Sequence, residues 1–187
     1  GAGFIGSHLC ERLLFEGHEV LCLDNFFTGN KDNIRHLLGN KHFECIRHDI
    51  INPIYLEVDQ IYNLACPASP VHYQYNPIKT IKTSVMGTIN TLGLAKRVKA
   101  TILQASTSEV YGKSQREVFS EEDDLLIGPP HLVRWSYACS KLMDEFLALA
   151  CARENGLPVV VARLFNTVGP RQTGQYGMVL PRFIEAA

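Results

Sequence analysis

The sequence predicts an α/β protein built on a doubly wound parallel sheet, and three observations carry that expectation. The first is a glycine-rich turn, GAGFIG at 1–6, that opens straight into a segment of helical periodicity. The second is the alternation that follows, in which short apolar runs are separated by stretches long enough to cross a sheet as helices. The third is chemical: polar residues able to do catalysis stand directly after one of those runs, at the edge where open parallel sheets bind ligands.

Each element can be justified in order. Residues 4–16 place Ile5, Leu9 and Leu13 on one helical face. The runs 19–24 (EVLCLD), 43–47 (FECIR), 58–65 (VDQIYNLA), 101–106 (TILQAS) and 158–164 (PVVVARL) are apolar and short, as strands covered on both faces are. Between them, 78–98 and 136–155 have the length of crossover helices. Repeated strand, helix, strand order implies a parallel sheet with helices on both sides. The acidic stretch SEEDD at 120–124, followed by Gly128, Pro129 and Pro130, reads as a solvated loop rather than a domain boundary. A glycine turn of this kind normally follows a strand, so the chain is expected to begin inside a loop, with the first strand missing.

Composition bounds the function. The 187 residues are 46% hydrophobic and 20% charged, which suits a globular domain rather than a disordered one. With 18 basic against 19 acidic residues, the net charge of −1 gives no reason to expect nucleic acid or an anionic membrane as partner. No run approaches the ~18 apolar residues of a membrane span. Six cysteines without a CxxC pair, and seven histidines at no metal-ligand spacing, argue for a reduced, cytoplasmic compartment and against a metal site.

Gly1, Gly3 and Gly6 form GxGxxG before the first helix, and Asp24 ends the next strand 18 residues after Gly6. This is a Rossmann-like dinucleotide-binding layout. The glycines let the backbone approach a pyrophosphate, the helix start, with Phe4 and Ile5, offers oriented N–H groups, and the acid accepts hydrogen bonds from a ribose hydroxyl. An Asp at that place favours NAD over NADP, because a 2′-phosphate would meet its charge.

A second constellation lies downstream. In STSEVYG, Thr107, Ser108 and Glu109 follow the strand at 101–106, and YACSK places Tyr137 and Lys141 four apart, on one helical face. A phenol of pKa about 10 is a weak base at neutral pH unless cations favour its ionised form. Lys141 and a bound nicotinamide would be such cations, and Thr107 could hydrogen-bond the reacting oxygen.

With these motifs in this order, the sequence resembles the extended short-chain dehydrogenase/reductase family, in its nucleotide-sugar branch of NAD-dependent epimerases and dehydratases. LACPASPVHYQYNPIKTIKT (64–83) and STSEVYG are similar to UDP-glucuronate decarboxylases, which make UDP-xylose; RWSYACSKLMDEFLALA and RLFNTVGPRQTGQYGMVLPRF look more like UDP-glucose 4-epimerase relatives. Inside the YxxxK motif, Ala138, Cys139 and Ser140 depart from the decarboxylase pattern, and Ser84 stands where the family commonly has Asn. The resemblance implies a chain truncated at both ends, with 1–164 the NAD-binding Rossmann-like domain and 165–187 the beginning of the substrate-binding part.

It further implies site roles. Asp24, Asn25, Phe26, Thr28 and Gly29 would surround the adenosine ribose, Asp49 and Ile50 the adenine, and Leu64, Ala65 and Thr83 the ribose and nicotinamide. Pro67, Ser69, Tyr73, Glu109, Asn166 and Arg171 would face the UDP-sugar. Thr107, Ser108, Glu109, Tyr137 and Lys141 would be catalytic, and the long helices would form a homodimer contact. Oxidation at the sugar C4 would put a C5 carboxylate β to a ketone and allow loss of CO2. Without that carboxylate the same residues would invert C4. A module that binds NAD or a nucleotide-sugar without turnover is the third reading.

Overall fold

A computed structural model describes residues 1–173 and 179–186. It divides into two compact units, 1–49 with 168–187 and 50–167.

In the first unit, α1 (Phe4–Phe15) leads into β1 (Val20–Asp24), a 3₁₀ turn (Lys31–Leu37) and β2 (Phe43–Arg47). The two strands pair in parallel from Val20 opposite Phe43 to Asp24 opposite Arg47. Ala2, Cys10, Val20, Cys22, Ile34, Leu37 and Phe43 form the core between helix, strands and turn. Burying such apolar surface supplies about 25 cal/mol per Å². A final helix, Val179–Ala186, belongs to the same unit. The motif-bearing stretch at 163–183 passes through 174–178, which lie outside the described residues.

In the second unit, β3 (Gln60–Asn63), β4 (Thr101–Thr107) and β5 (Val159–Leu164) form a parallel sheet in that order. Parallel neighbours require crossovers, supplied here by α2 (Pro70–Tyr75), α3 (Pro77–Ile81) and α4 (Gly87–Val98) before β4, and by α5 (Trp135–Asn155) before β5. Leu92 and Ala95 of α4, Ile102 of β4 and Ala148 of α5 meet in its core, closed by Ala100 and Leu157. Gly156, in the left-handed region at φ 65°, ends α5.

The expected strands appear within about two residues of their sequence bounds, the scatter usual for element ends. The run 58–65 pairs only over Gln60–Asn63, because Ala65 N–H turns back to Asn63 Oδ1 at 3.4 Å and leaves the ladder. The single helix expected at 78–98 is α3 and α4 joined by a π-helical segment, Lys82–Met86, which turns Thr83 and Ser84 into the interior. Pro70 and Pro77, each a favoured first helical residue, start α2 and α3, and α2 is a short helix that the sequence does not predict. Gly87 is required where α4 begins: a Cβ there would lie 2.2 Å from Ile50 Cδ1.

Candidate active site

The glycine turn of the first unit is folded onto the end of β1. Asp24 Oδ2 accepts the Gly1 amine at 3.0 Å and the Ala2 N–H at 2.8 Å, and Oδ1 accepts the Phe26 N–H at 2.7 Å. That last bond holds Phe26 at φ 58°, an unusual backbone state for a bulky residue and one that clusters at functional sites. Burial resists ionisation of Asp24, and the Phe26 and Ala2 N–H donors oppose it by stabilising the carboxylate. Gly29 presses on the same carboxylate, so that a Cβ would meet Oδ2 at 2.7 Å. Asn25 donates to Asp49 Oδ2 at 2.9 Å, while Thr28 lies exposed nearby in sequence. Gly1, Asp24, Asn25, Phe26, Gly29 and Asp49 are thus brought together as one group.

This geometry fits a dinucleotide. Gly6 allows α1 to start against the turn, since a Cβ there would sit 2.4 Å from the Gly1 carbonyl oxygen. Helix α1 begins at Gly3 with no side-chain cap and no acid in its first turn. Its leading N–H groups and positive dipole end are therefore available to an anion. Phe4 is half-buried and Ile5 exposed on that first turn. Arg171 lies against α1 instead of standing clear of it: it donates to Ser7 Oγ at 3.1 Å and pairs with Glu11.

In the second unit the catalytic candidates converge. Thr107 ends β4, and its Oγ1 accepts the Glu109 N–H at 3.2 Å, starting a 3₁₀ turn (Ser108–Tyr111) that directs Ser108 and Glu109. Tyr137 and Lys141 sit one turn apart on α5, 5% and 3% exposed. The Tyr73 ring stacks on Tyr137 with centroids 5.1 Å apart. Ser69 precedes α2, its carbonyl accepting the Tyr73 N–H at 3.1 Å, with Pro67 buried beside it in sequence. Leu64 and Ala65 are half-buried after β3, and Thr83 is buried on the π-helical segment. Ile50 packs on Gly87, its carbonyl accepting Asn90 Nδ2 at 2.8 Å. Asn166 is exposed after β5.

Electrostatics distinguish the acids here. Burial pushes the Tyr137 phenol up, and Cys66, Glu109 and Tyr73 add to it against the opposing Thr107 hydroxyl. The expected help from Lys141 is directed elsewhere, since its Nζ donates to the Ala105 carbonyl at 3.0 Å and to Asp144 Oδ2 at 3.3 Å. Burial likewise raises the Glu109 carboxyl, opposed by Arg134 and by Tyr73. Burial thus favours the protonated form of the Glu109 carboxyl relative to one in water.

Three groups carry no assigned role in the sequence analysis. Arg134 acts electrostatically on both Glu109 and Tyr73 and lies over Trp135 at 4.8 Å. It directly precedes Trp135 in the quoted RWSY, which was its only signal. Asp144 and Ser84 form a 2.6 Å hydrogen bond beneath Lys141. The i,i+3 spacing of Lys141 and Asp144 on one helix could have exposed the first of these.

Known proteins resemble this chain in sequence and fold. A UDP-glucuronic acid decarboxylase from Arabidopsis thaliana is 53% identical over 188 residues, covering 98% of this chain and 42% of the relative. The chain thus spans less than half of that relative's length. A UDP-N-acetylglucosamine 4-epimerase from Methanobrevibacter ruminantium, solved with UDP-N-acetylmuramic acid, superposes with a TM-score of 0.87 at 26% identity, over 99% of this chain and 59% of that one. A UDP-glucuronic acid 4-epimerase from Bacillus cereus, solved with NAD, gives 0.84 at 30% identity, over 98% and 59%. The family model described as GDP-mannose 4,6 dehydratase matches residues 1–187, and the chain therefore belongs to that family of Rossmann-fold epimerases and dehydratases.

Proposed function

We propose that the protein decarboxylates UDP-glucuronate to UDP-xylose, using NAD as a cofactor that is regenerated in each turnover. The observation that carries this reading is the cluster of Tyr137, Lys141 and Thr107 beside Glu109, whose carboxyl burial raises, and the Arg134 guanidinium. Arg134 supports an acidic sugar over a neutral one, since a guanidinium matches a carboxylate. The identity to UDP-glucuronic acid decarboxylases supports the same choice.

NAD, when bound, accepts a hydride from C4 of the sugar and later returns it. Gly1, Gly3 and Gly6 with the start of α1 would hold its pyrophosphate and Asp24 its adenosine ribose, and Lys141 would bind its nicotinamide ribose. Asn25, Phe26, Thr28, Gly29, Asp49, Ile50, Leu64, Ala65 and Thr83 would line the rest. Tyr137, as phenolate, takes the C4 hydroxyl proton, while Thr107 orients that oxygen. The C5–carboxylate bond then breaks, its electron pair passing into the new C4 ketone as an enolate, and CO2 leaves. Glu109, positioned with Ser108, protonates C5. Tyr137 returns its proton to the C4 oxygen as the hydride comes back, so the cofactor redox balance closes. Pro67, Ser69, Tyr73, Asn166 and Arg171 would contact the nucleotide-sugar, and 165–187 would begin the part that binds it, after a cofactor and catalytic part at 1–164.

Epimerisation at C4 is the second reading, favoured by the similarity to two 4-epimerases. Both reactions use the same residues up to the ketone. The exposed apolar side chains Ile78 and Ile89 on one helical layer, and Met143, Phe146 and Leu149 on α5, suit a homodimer contact. The unbridged cysteines suit a reducing cytoplasm, and among the described residues no helix is long and apolar enough to cross a membrane. The full-length protein, incubated with NAD and either UDP-glucuronate or UDP-glucose, tests the proposal. CO2 release from the first supports decarboxylation, C4 inversion without CO2 supports the second reading, and NAD binding with neither product leaves a binding module.

A further inference from the structure

Lys141 is a cation held almost wholly out of water, and its counter-charge lies one turn further along α5. Asp144 is fully buried and shares a helical face with Lys141. Its Oδ2 accepts Lys141 Nζ at 3.3 Å, Ser84 Oγ at 2.6 Å and Gln104 Nε2 at 3.4 Å. Gln104 is fixed in turn from β3, where Asn63 Nδ2 donates to its Oε1 at 2.9 Å. The carboxylate is therefore held from the π-helical segment, from β4 and from its own helix at once.

A buried charge is expensive unless paired, and an apolar pair of similar volume often serves stability better. Retaining a carboxylate at this point makes physical sense if the ammonium it faces must stay where it is. An ammonium has three N–H donors. Asp144 and the Ala105 carbonyl take two of them, leaving one for a ligand. We propose that Asp144 is a positioning residue for the reaction, fixing the Lys141 ammonium and balancing its charge, with Ser84 and Gln104 holding the carboxylate in turn. The proposal rests on the reading that Lys141 serves the nicotinamide ribose.

Other titratable groups surround the pair. From the loop after β3 comes Cys66, whose thiol burial pushes up, with Lys141 and Asp144 acting on it in opposite senses. From α5 itself comes Tyr137, while Tyr73 and Glu109 bear on that phenol. Glu145, next in sequence, turns to Ser106 and to Arg163 of β5.

The test is Asp144→Asn in the full-length protein with NAD and UDP-glucuronate. The amide keeps the shape and removes the charge. We expect kcat to fall about 10- to 100-fold with KM within about threefold, as for a displaced catalytic group. A fall in kcat matched by a comparable rise in KM, or an unchanged kcat, overturns the proposal. An inactive wild type overturns the decarboxylase reading instead, and a crystal structure of the NAD-bound wild type then decides for Asp144. Lys141 Nζ within hydrogen-bond distance of both Asp144 and the nicotinamide ribose supports it, and Nζ parted from Asp144 refutes it. The same structure decides if the variant does not fold.

Discussion

The rings of Tyr73 and Tyr137 stack at 5.1 Å with their planes 4° apart, so a residue on α2 sets the orientation of the phenol on α5. A stacked pair of this kind contributes about 0.5–1.5 kcal/mol beyond its buried area. Its larger effect is geometric, since a reacting group misplaced by about 1 Å can lose about 100-fold in rate. Tyr73→Phe, which keeps the ring, should retain kcat within about tenfold, whereas Tyr73→Ala should lose about 100-fold. Steady-state kinetics on the two variants check this, and equal losses would show that the hydroxyl rather than the stack matters.

Tyr137 itself should be silent as an acid until a cation arrives. Burial pushes its phenol up from the usual 10.0, so in NAD-free protein its phenolate should not form below about pH 10. Bound NAD places positive charge on the nicotinamide and should lower that threshold. An ultraviolet difference titration of wild type against Tyr137→Phe, with and without NAD, measures the shift. The same substitution should abolish turnover and leave NAD affinity unchanged within about threefold, because it removes a proton acceptor without a binding contact.

Glu109 yields a prediction about stability whose sign follows from its environment. Its folded-state carboxyl is raised above 4.5, first by burial. Between 4.5 and the folded value the unfolded chain binds fewer protons than the native one, so stability falls as pH rises through that window. Glu109→Gln removes the penalty. Its melting temperature should match wild type at pH 4 and exceed it increasingly toward pH 7, while kcat at pH 7 falls by about 100-fold or more for want of the acid. Calorimetry across that range, with a constant difference, would contradict the assignment.

Much of this was legible from periodicity and spacing. Strands such as Val159–Leu164 and Val20–Asp24 are mostly apolar, each with one charged residue, and a four-residue spacing on a helix suffices to align Tyr137 with Lys141. What stayed hidden depends on contacts distant in sequence. The π-helical segment has no periodic signature of its own. Its Ser84 takes on meaning only when Asp144, 60 residues later, comes within 2.6 Å. The left-handed backbone of Phe26 is held by a hydrogen bond from its own N–H to Asp24, which no aromatic residue advertises. Arg171 has the charge expected of a phosphate ligand, yet here that charge meets Glu11 on α1.

The apolar stripe of α5 makes a further prediction. Phe146 is 64% exposed, between Met143 and Leu149 on the same helix. A homodimer burying this face would be split by a charge there, since an unpaired charge in an apolar interface is not compensated. Phe146→Glu should convert the full-length protein from dimer to monomer in sedimentation velocity. A monomeric wild type would refute the contact.

Gly3 and Gly6 separate the two jobs of the opening turn. At Gly6 a Cβ would strike the Gly1 carbonyl at 2.4 Å, whereas at Gly3, with φ −80°, it would meet nothing within 4 Å. Gly6→Ala must therefore deform the turn, at about 1–3 kcal/mol for an overpacked site, and should lower melting temperature and NAD affinity together. Gly3→Ala should melt as wild type does, because its methyl enters open space. If that space is where the pyrophosphate approaches the backbone, Gly3→Ala should nevertheless weaken NAD binding by about tenfold or more, which calorimetric titration would register. Equal NAD affinity in Gly3→Ala and wild type would mean that the dinucleotide does not approach the turn from this side.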